Sequence, residues 1–298
     1  MKLKTLLLTL FIGLNSFPAL SQAQDTKLDP TLVKWKNLHY KASVLFFSVN
    51  VKYTLNQISQ ADSKSALLKP SKGTGVMPAV DPTYRIDLDS KIMGRKSLIG
   101  LWFDPSGTAF QRTQTDTGSK QRVKTYRILT DGYYSLEAKP KEGEEDLPPN
   151  KWTQKGEGAK TFNKLAPKGG IIAEPTALYY LVSASSINKP GDKFEEYIFT
   201  KHGIFSLKLH AVDYKEIETN YKSNQGGKKQ TVQGENKTLH ITMNAVAIDP
   251  ADADDFDFLG LKGDIDLYMD PATRVLVQVS GKADYIGRTD IKLKEVSF

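Results

Sequence analysis

The sequence predicts a mainly β protein built on an antiparallel sheet, with one buried helix near residues 175–187. Three observations lead there. Short β-branched and aromatic runs recur along the chain, and several alternate with period two. The last forty residues carry a complete hairpin pattern. One segment, Thr176 to Ile187, carries no charge at all.

The strands come in order. Val44 to Tyr53 is β-branched and aromatic. Tyr84 to Leu88 alternates, and Ser97 to Phe103 is a more continuous apolar run ending in the turn signature Asp104-Pro105-Ser106-Gly107. Gln121 to Leu129 ends at Asp131-Gly132. Glu196 to Thr200, Gly203 to Tyr214 and Thr238 to Ile248 read the same way. In the closing hairpin Ile265, Leu267 and Met269 share one face, opposite Asp264, Asp266 and Tyr268. Asp270 to Thr273 turns the chain, and Val275, Val277 and Val279 share a face on the return. One apolar and one polar face mean an antiparallel sheet wetted on one side. Asp290 to Val296 is read as a closing strand. The helix opens at Glu174-Pro175, where proline at the first helical position forfeits nothing. Leu178, Leu181, Val182 and Ser185 fall at helical spacing, and Pro190-Gly191 ends the region. Residues 61–80 and 139–170 read as loose, the latter as a flexible insertion. Residues 222–237 read as a long hairpin tip.

Composition sets the class. The chain has 298 residues, no cysteine, 13 Tyr and 13 Phe, and a net charge of +7. It is too aromatic for disorder, and its mean hydropathy of -0.40 is too polar for a bundle of membrane helices. Lys2 and Lys4 precede the apolar run Leu6 to Leu14, and Ser21-Gln22-Ala23 offers small residues at a cleavage site. This predicts a signal peptide over 1–23, a single β domain over 24–298, and a periplasmic location. Without cysteine, disulfides, thiolate metal sites and a Cys nucleophile are excluded.

The segment Gly170-Ile-Ile-Ala-Glu-Pro-Thr-Ala-Leu-Tyr-Tyr-Leu181 is followed by Lys189-Pro-Gly-Asp192. Gly263-Asp-Ile-Asp-Leu-Tyr-Met-Asp270, Arg274-Val-Leu-Val277 and Gly287 come later. In this order the chain resembles the domain of unknown function 3108 family of bacterial exported proteins, with Glu174 where Asp is more usual. The resemblance implies a large antiparallel sheet curved into a barrel or half-barrel. It implies no catalytic residue.

Candidate chemistry is sparse. His39, His202, His210 and His240 have no metal-binding spacing. No G-x-S-x-G elbow exists, and Gly73-Thr-Gly75 reads as a turn rather than a phosphate loop. The acids Asp249, Asp252, Asp254, Asp255 and Asp257 fail the EF-hand pattern, because the sixth and twelfth places hold Asp257 and Gly263. They read as a solvated loop anchored by Phe256 and Phe258. Lys120, Arg122 and Lys124 share one strand face and read as its wet side. Counting back by two from Phe298 gives Val296, Lys294, Lys292 and Asp290, whose charges argue against a lipid-facing closing strand. The resulting expectation is a non-enzymatic protein without metal or cofactor. It holds a lipid or other hydrophobic ligand in a curved-sheet groove, does not bind nucleic acid, and touches the membrane at most peripherally. The alternative is a structural or interaction module of an envelope complex, with a protein partner.

Overall fold

The computed structural model describes residues 28–44, 47–92, 94–118, 121–167, 172–252, 256–284 and 286–298. The proposed signal peptide, Leu45 and Phe46, Lys120, Gly170 and Ile171, and Asp254 and Asp255 lie outside them.

The first half is an antiparallel meander in which each strand pairs with the next. Its members are β1 (Asn37–Val44), β2 (Phe47–Ile58), β3 (Thr83–Ile92), β4 (Arg95–Phe103), β5 (Ala109–Thr117), β6 (Arg122–Ile128), β7 (Gly132–Lys139) and β8 (Gln154–Thr161). The second half holds β9 (Ile172–Ala173), β10 (Lys193–Phe199), β11 (Ile204–Gln225), β12 (Lys228–Ala247), β13 (Asp257–Phe258), β14 (Leu261–Met269), β15 (Leu276–Ala283) and β16 (Gly287–Ser297). Because β16 pairs with β1, both halves form one large curved sheet.

The sheet is mixed rather than purely antiparallel. β9 runs parallel to β10, and Lys222–Asn224 of β11 run parallel to Glu295–Ser297 of β16. The second contact closes β11, β12, β14, β15 and β16 into a ring of hydrogen-bonded strands. It exists because the β11–β12 hairpin is long enough to reach the chain's last strand. Gly226 and Gly227 make its two-residue turn at φ 57 and 81, the left-handed pair such a turn requires. The expected hairpin tip is therefore almost all strand.

Alternation holds where the ladder is regular. Ile265, Leu267 and Met269 are buried on the core face of β14, as expected. It fails at bulges. The β14–β15 register shifts between Tyr268 and Met269, so Leu276 and Val279 sit opposite core residues while Val277 falls out of phase. The β1–β16 register shifts between His39 and Tyr40 and skips Lys294. Val296 therefore joins Ile291 and Leu293 in the core instead of sharing a face with Lys294 and Lys292.

Helix α2 (Leu178–Ala184) packs on the core face, with all seven residues buried. A 3-10 turn over Pro175–Ala177 leads into it, and the Glu174 carboxylate accepts the Thr176 amide at 2.7 Å. The helix stops at Ala184, short of the expected Ile187, because Ser185 turns extended at ψ 166. Arg274 satisfies its exposed carbonyl end. Nε donates to Ser183 O at 2.6 Å, and Nη2 donates to Ser185 O at 2.7 Å. The Tyr179 ring packs at a tilt between Tyr40 and Tyr53, with centroids 4.6 and 4.7 Å away. The Tyr180 hydroxyl donates to Pro105 O at 2.8 Å.

The stretches expected to be loose have structure. Helix α1 (Gln60–Ala66) is opened by Ser59, whose hydroxyl accepts the Asp62 amide at 3.0 Å. The strap after it crosses the outer face of the sheet. There Arg127, almost fully buried, donates to Val76 O and Phe110 O, each at 2.6 Å. Gly75 is glycine because a Cβ would stand 2.7 Å from that guanidinium. The 139–170 segment supplies sheet strand β8, and Trp152 is buried with Nε1 donating to Leu147 O at 3.0 Å. Among the described residues no helix is long and apolar enough to cross a membrane.

Candidate ligand-binding cleft

Sheet curvature and the 3-10 turn that leads into α2 enclose a cleft of about 1030 Å³. Alternation on β3, β4 and β6 turns Leu88, Ile92, Ile99 and Tyr126 toward it. Phe199 and Phe205, from β10 and β11, form the facing wall. The short β13 segment brings Phe256 and Phe258 over one side. Phe256 lies 5.7 Å from Phe205, and Phe258 lies 5.8 Å from Tyr179. Both phenylalanines are buried.

The charged part of the lining sets Arg95, Arg112, Arg122, Lys124 and Lys201 against Glu174, Asp257 and Asp284, and much of it is ordered by partners. Arg112 Nε lies 3.0 Å from Glu174 Oε1, both side chains being largely buried. Arg122 donates to Asp116 at 2.5 Å. Burial pushes the Asp116 carboxyl up, but hydrogen bonds from Ser97, Gln114 and Arg122 outweigh it and hold the pKa below its ordinary value. The Lys124 ammonium lies 5.0 Å from the Tyr126 ring centre. Arg95 and Lys201 are exposed lining residues. On the opposite rim burial pushes the Asp257 carboxyl up while it accepts the Gly260 amide at 2.9 Å. The hydroxyls of Tyr53, a lining residue, and of Tyr179 beside it are buried and have no hydrogen-bond partner among the described residues. Burial raises both phenols, so they stay neutral.

The residues singled out from sequence scatter. Arg122 and Lys124 line the cleft, so their strand face continues inward to buried Tyr126 and is not simply a wet surface. His202 is at the cleft, in the β10–β11 turn. His39, on β1, bonds Asn50 at 2.8 Å, and His210 is exposed on β11. His240 is buried between Asp213, at 2.9 Å, and Asp266, at 2.7 Å, and is stacked on Tyr268. Both ring nitrogens are thereby occupied. Asp249 caps its own turn through the Ala251 amide, while Asp257 reaches the cleft. Among the described residues no group of three or more His, Asp or Glu is placed to hold a metal.

The cleft itself was not legible in sequence, since its lining comes from eight separated stretches of the chain. The local signals were the alternation ending at Leu88, the apolar run holding Ile99, the Arg122–Lys124 stripe and the aromatics Phe256 and Phe258, and none of them pointed to a shared cleft. A scan against protein-family models, a search of curated proteins and a search of solved structures each found no match for this chain.

Proposed function

We propose that this chain is an exported periplasmic protein that holds a hydrophobic ligand in the cleft, an acyl-chain amphiphile with an acidic head. The observation that carries the reading is the cleft itself. Its volume of about 1030 Å³ is at the upper end of ordinary ligand pockets, and aromatic and aliphatic side chains wall it. An apolar tail gains by leaving water against such walls. Arg95, Lys124 and Lys201 at the polar side favour a negative head. No bond making or breaking enters this reading.

The test is native mass spectrometry of the full chain, exported in a bacterial host and purified without detergent. A reproducible mass excess, identified as lipid after solvent extraction and lost in Ile99→Trp, supports the reading. Ile99 is only partly buried, so the larger ring fills the cleft rather than the core. A bare mass for the parent protein, or lipid retained equally by the variant, overturns it.

A further inference from the structure

The opposite face of the sheet carries a second concavity, of about 1100 Å³, across β14, β15, β16, β1, β2 and β3. Strand register explains its charge. Lys41 stands directly opposite Lys292 on one side and Asn50 on the other. Asn50 stands opposite Lys91, and Lys91 opposite Lys96. Five adjacent strands thus carry the row Lys292, Lys41, Asn50, Lys91, Lys96, about 19 Å long at the usual strand spacing. Like charges placed directly opposite one another repel. None of these lysines forms an ion pair among the described residues.

The neighbouring charges do not neutralise the row. Arg288 is paired with Asp266, and Asp290, the one carboxylate among the described lining residues, offsets a single ammonium. Lys294, displaced by the bulge in β16, adds another exposed ammonium to the lining. The next row along the strands, Glu295, His39, Lys52 and Asp89, sets two acids against one lysine. That row confines the positive potential to the groove. Ser43, Ser48 and Asn50 add neutral donors.

We propose that this groove binds phosphate-class polyanions, with one oxyanion seated at the pair Lys41/Lys292 in its lining and another where the row leaves the groove, between Lys91 of the lining and Lys96 beyond it. Paired ammonium groups on flexible stems suit a phosphate, which accepts from several donors at once. Such groups come either from the headgroups of an anionic bilayer or from a soluble polyphosphate. The site is on the far face from the cleft, so it stands whether or not the cleft holds a lipid.

The test uses the full chain, Lys41→Gln/Lys91→Gln, and a control with equal charge loss at the exposed hairpin turn, Lys228→Gln/Lys229→Gln. Each is titrated with inorganic tripolyphosphate by calorimetry at low salt. Each is also floated with vesicles of phosphatidylglycerol, using phosphatidylcholine vesicles as the neutral reference. Loss of about fivefold per lysine is expected at a bilayer, hence roughly 25-fold for the groove pair. The control should stay near the parent. A groove-specific loss with tripolyphosphate alone identifies a soluble phosphate, and one with anionic vesicles alone identifies the bilayer. A loss in both shows that the groove accepts either. No binding to either probe, or equal loss in both double variants, overturns the proposal.

Discussion

Replacing Glu196 by glutamine should stabilise this protein, and the gain should grow with pH. Glu196 lies on β10 between Phe194 and Ile198, and all three are buried on the core face. Its Oε1 accepts the Tyr197 amide at 2.8 Å. Burial dominates and pushes the carboxyl from 4.5 up to about 8. The folded state therefore keeps a proton that the unfolded chain releases above pH 4.5. Between pH 4.5 and about 8 the folded state binds more protons, so stability falls as pH rises. Integrated, that separation costs about 3 kcal/mol at pH 7 and approaches about 5 kcal/mol above pH 8. Glutamine has nearly the same shape and does not titrate. Urea unfolding of both proteins from pH 4.5 to 8.5 should show near equality at the acid end and a widening advantage for Glu196→Gln above it. A pH-independent difference, or a variant less stable than the parent at pH 8, would refute the burial argument.

Four further outcomes follow from the same structure. Arg274→Met should cost about 3 kcal/mol in urea unfolding, because the carbonyls of Ser183 and Ser185 lose their buried donor. Arg112→Met alone should cost roughly 3 kcal/mol by stranding the Glu174 carboxylate, and adding Glu174→Gln should recover part of it, read as coupling in a double-mutant cycle. Tyr53→Phe removes a buried hydroxyl that lacks a partner among the described residues, and should be neutral or stabilising by about 1 kcal/mol, visible as a higher urea midpoint. Gly226→Asn keeps a residue that tolerates φ 57 at the hairpin turn. It should raise the thermal midpoint slightly, by about 0.5 kcal/mol of stability, whereas Gly226→Val should lower it.

Part of the architecture was legible from residue order because its causes are local. The β14 strand shows this, with Ile265, Leu267 and Met269 alternating against Asp264 and Asp266. So does the uncharged stretch that became α2, since a helix without a polar face has to be covered. Ser59 and Asp62, three apart, were a readable start signal for α1 but sat in a Ser- and Lys-rich stretch that masked it. β5 and β7 went unread because Gln111, Arg112, Thr113 and Glu137 face partners rather than water. A paired polar side chain has no periodic signature.

The site was less legible than the fold. Phe256 and Phe258 stand out as aromatics among acids, yet nothing local said that they face Phe205 and Tyr179. Likewise Asp213 and Asp266 are 27 and 26 residues from the histidine they bracket.

By itself, the sequence determined the β character, the turn at Asp270, the buried uncharged helix and the polarity of each regular strand face. Those follow from side-chain period and backbone preference within a few residues. Tertiary structure decided the rest. The bulge at Lys294 sent Val296 inward, the long hairpin reached β16 and closed the ring, and register lined up Lys292, Lys41, Lys91 and Lys96 in one row. Each depends on which strands are neighbours and in what register, and that is set by the packing of the whole core rather than by any one segment.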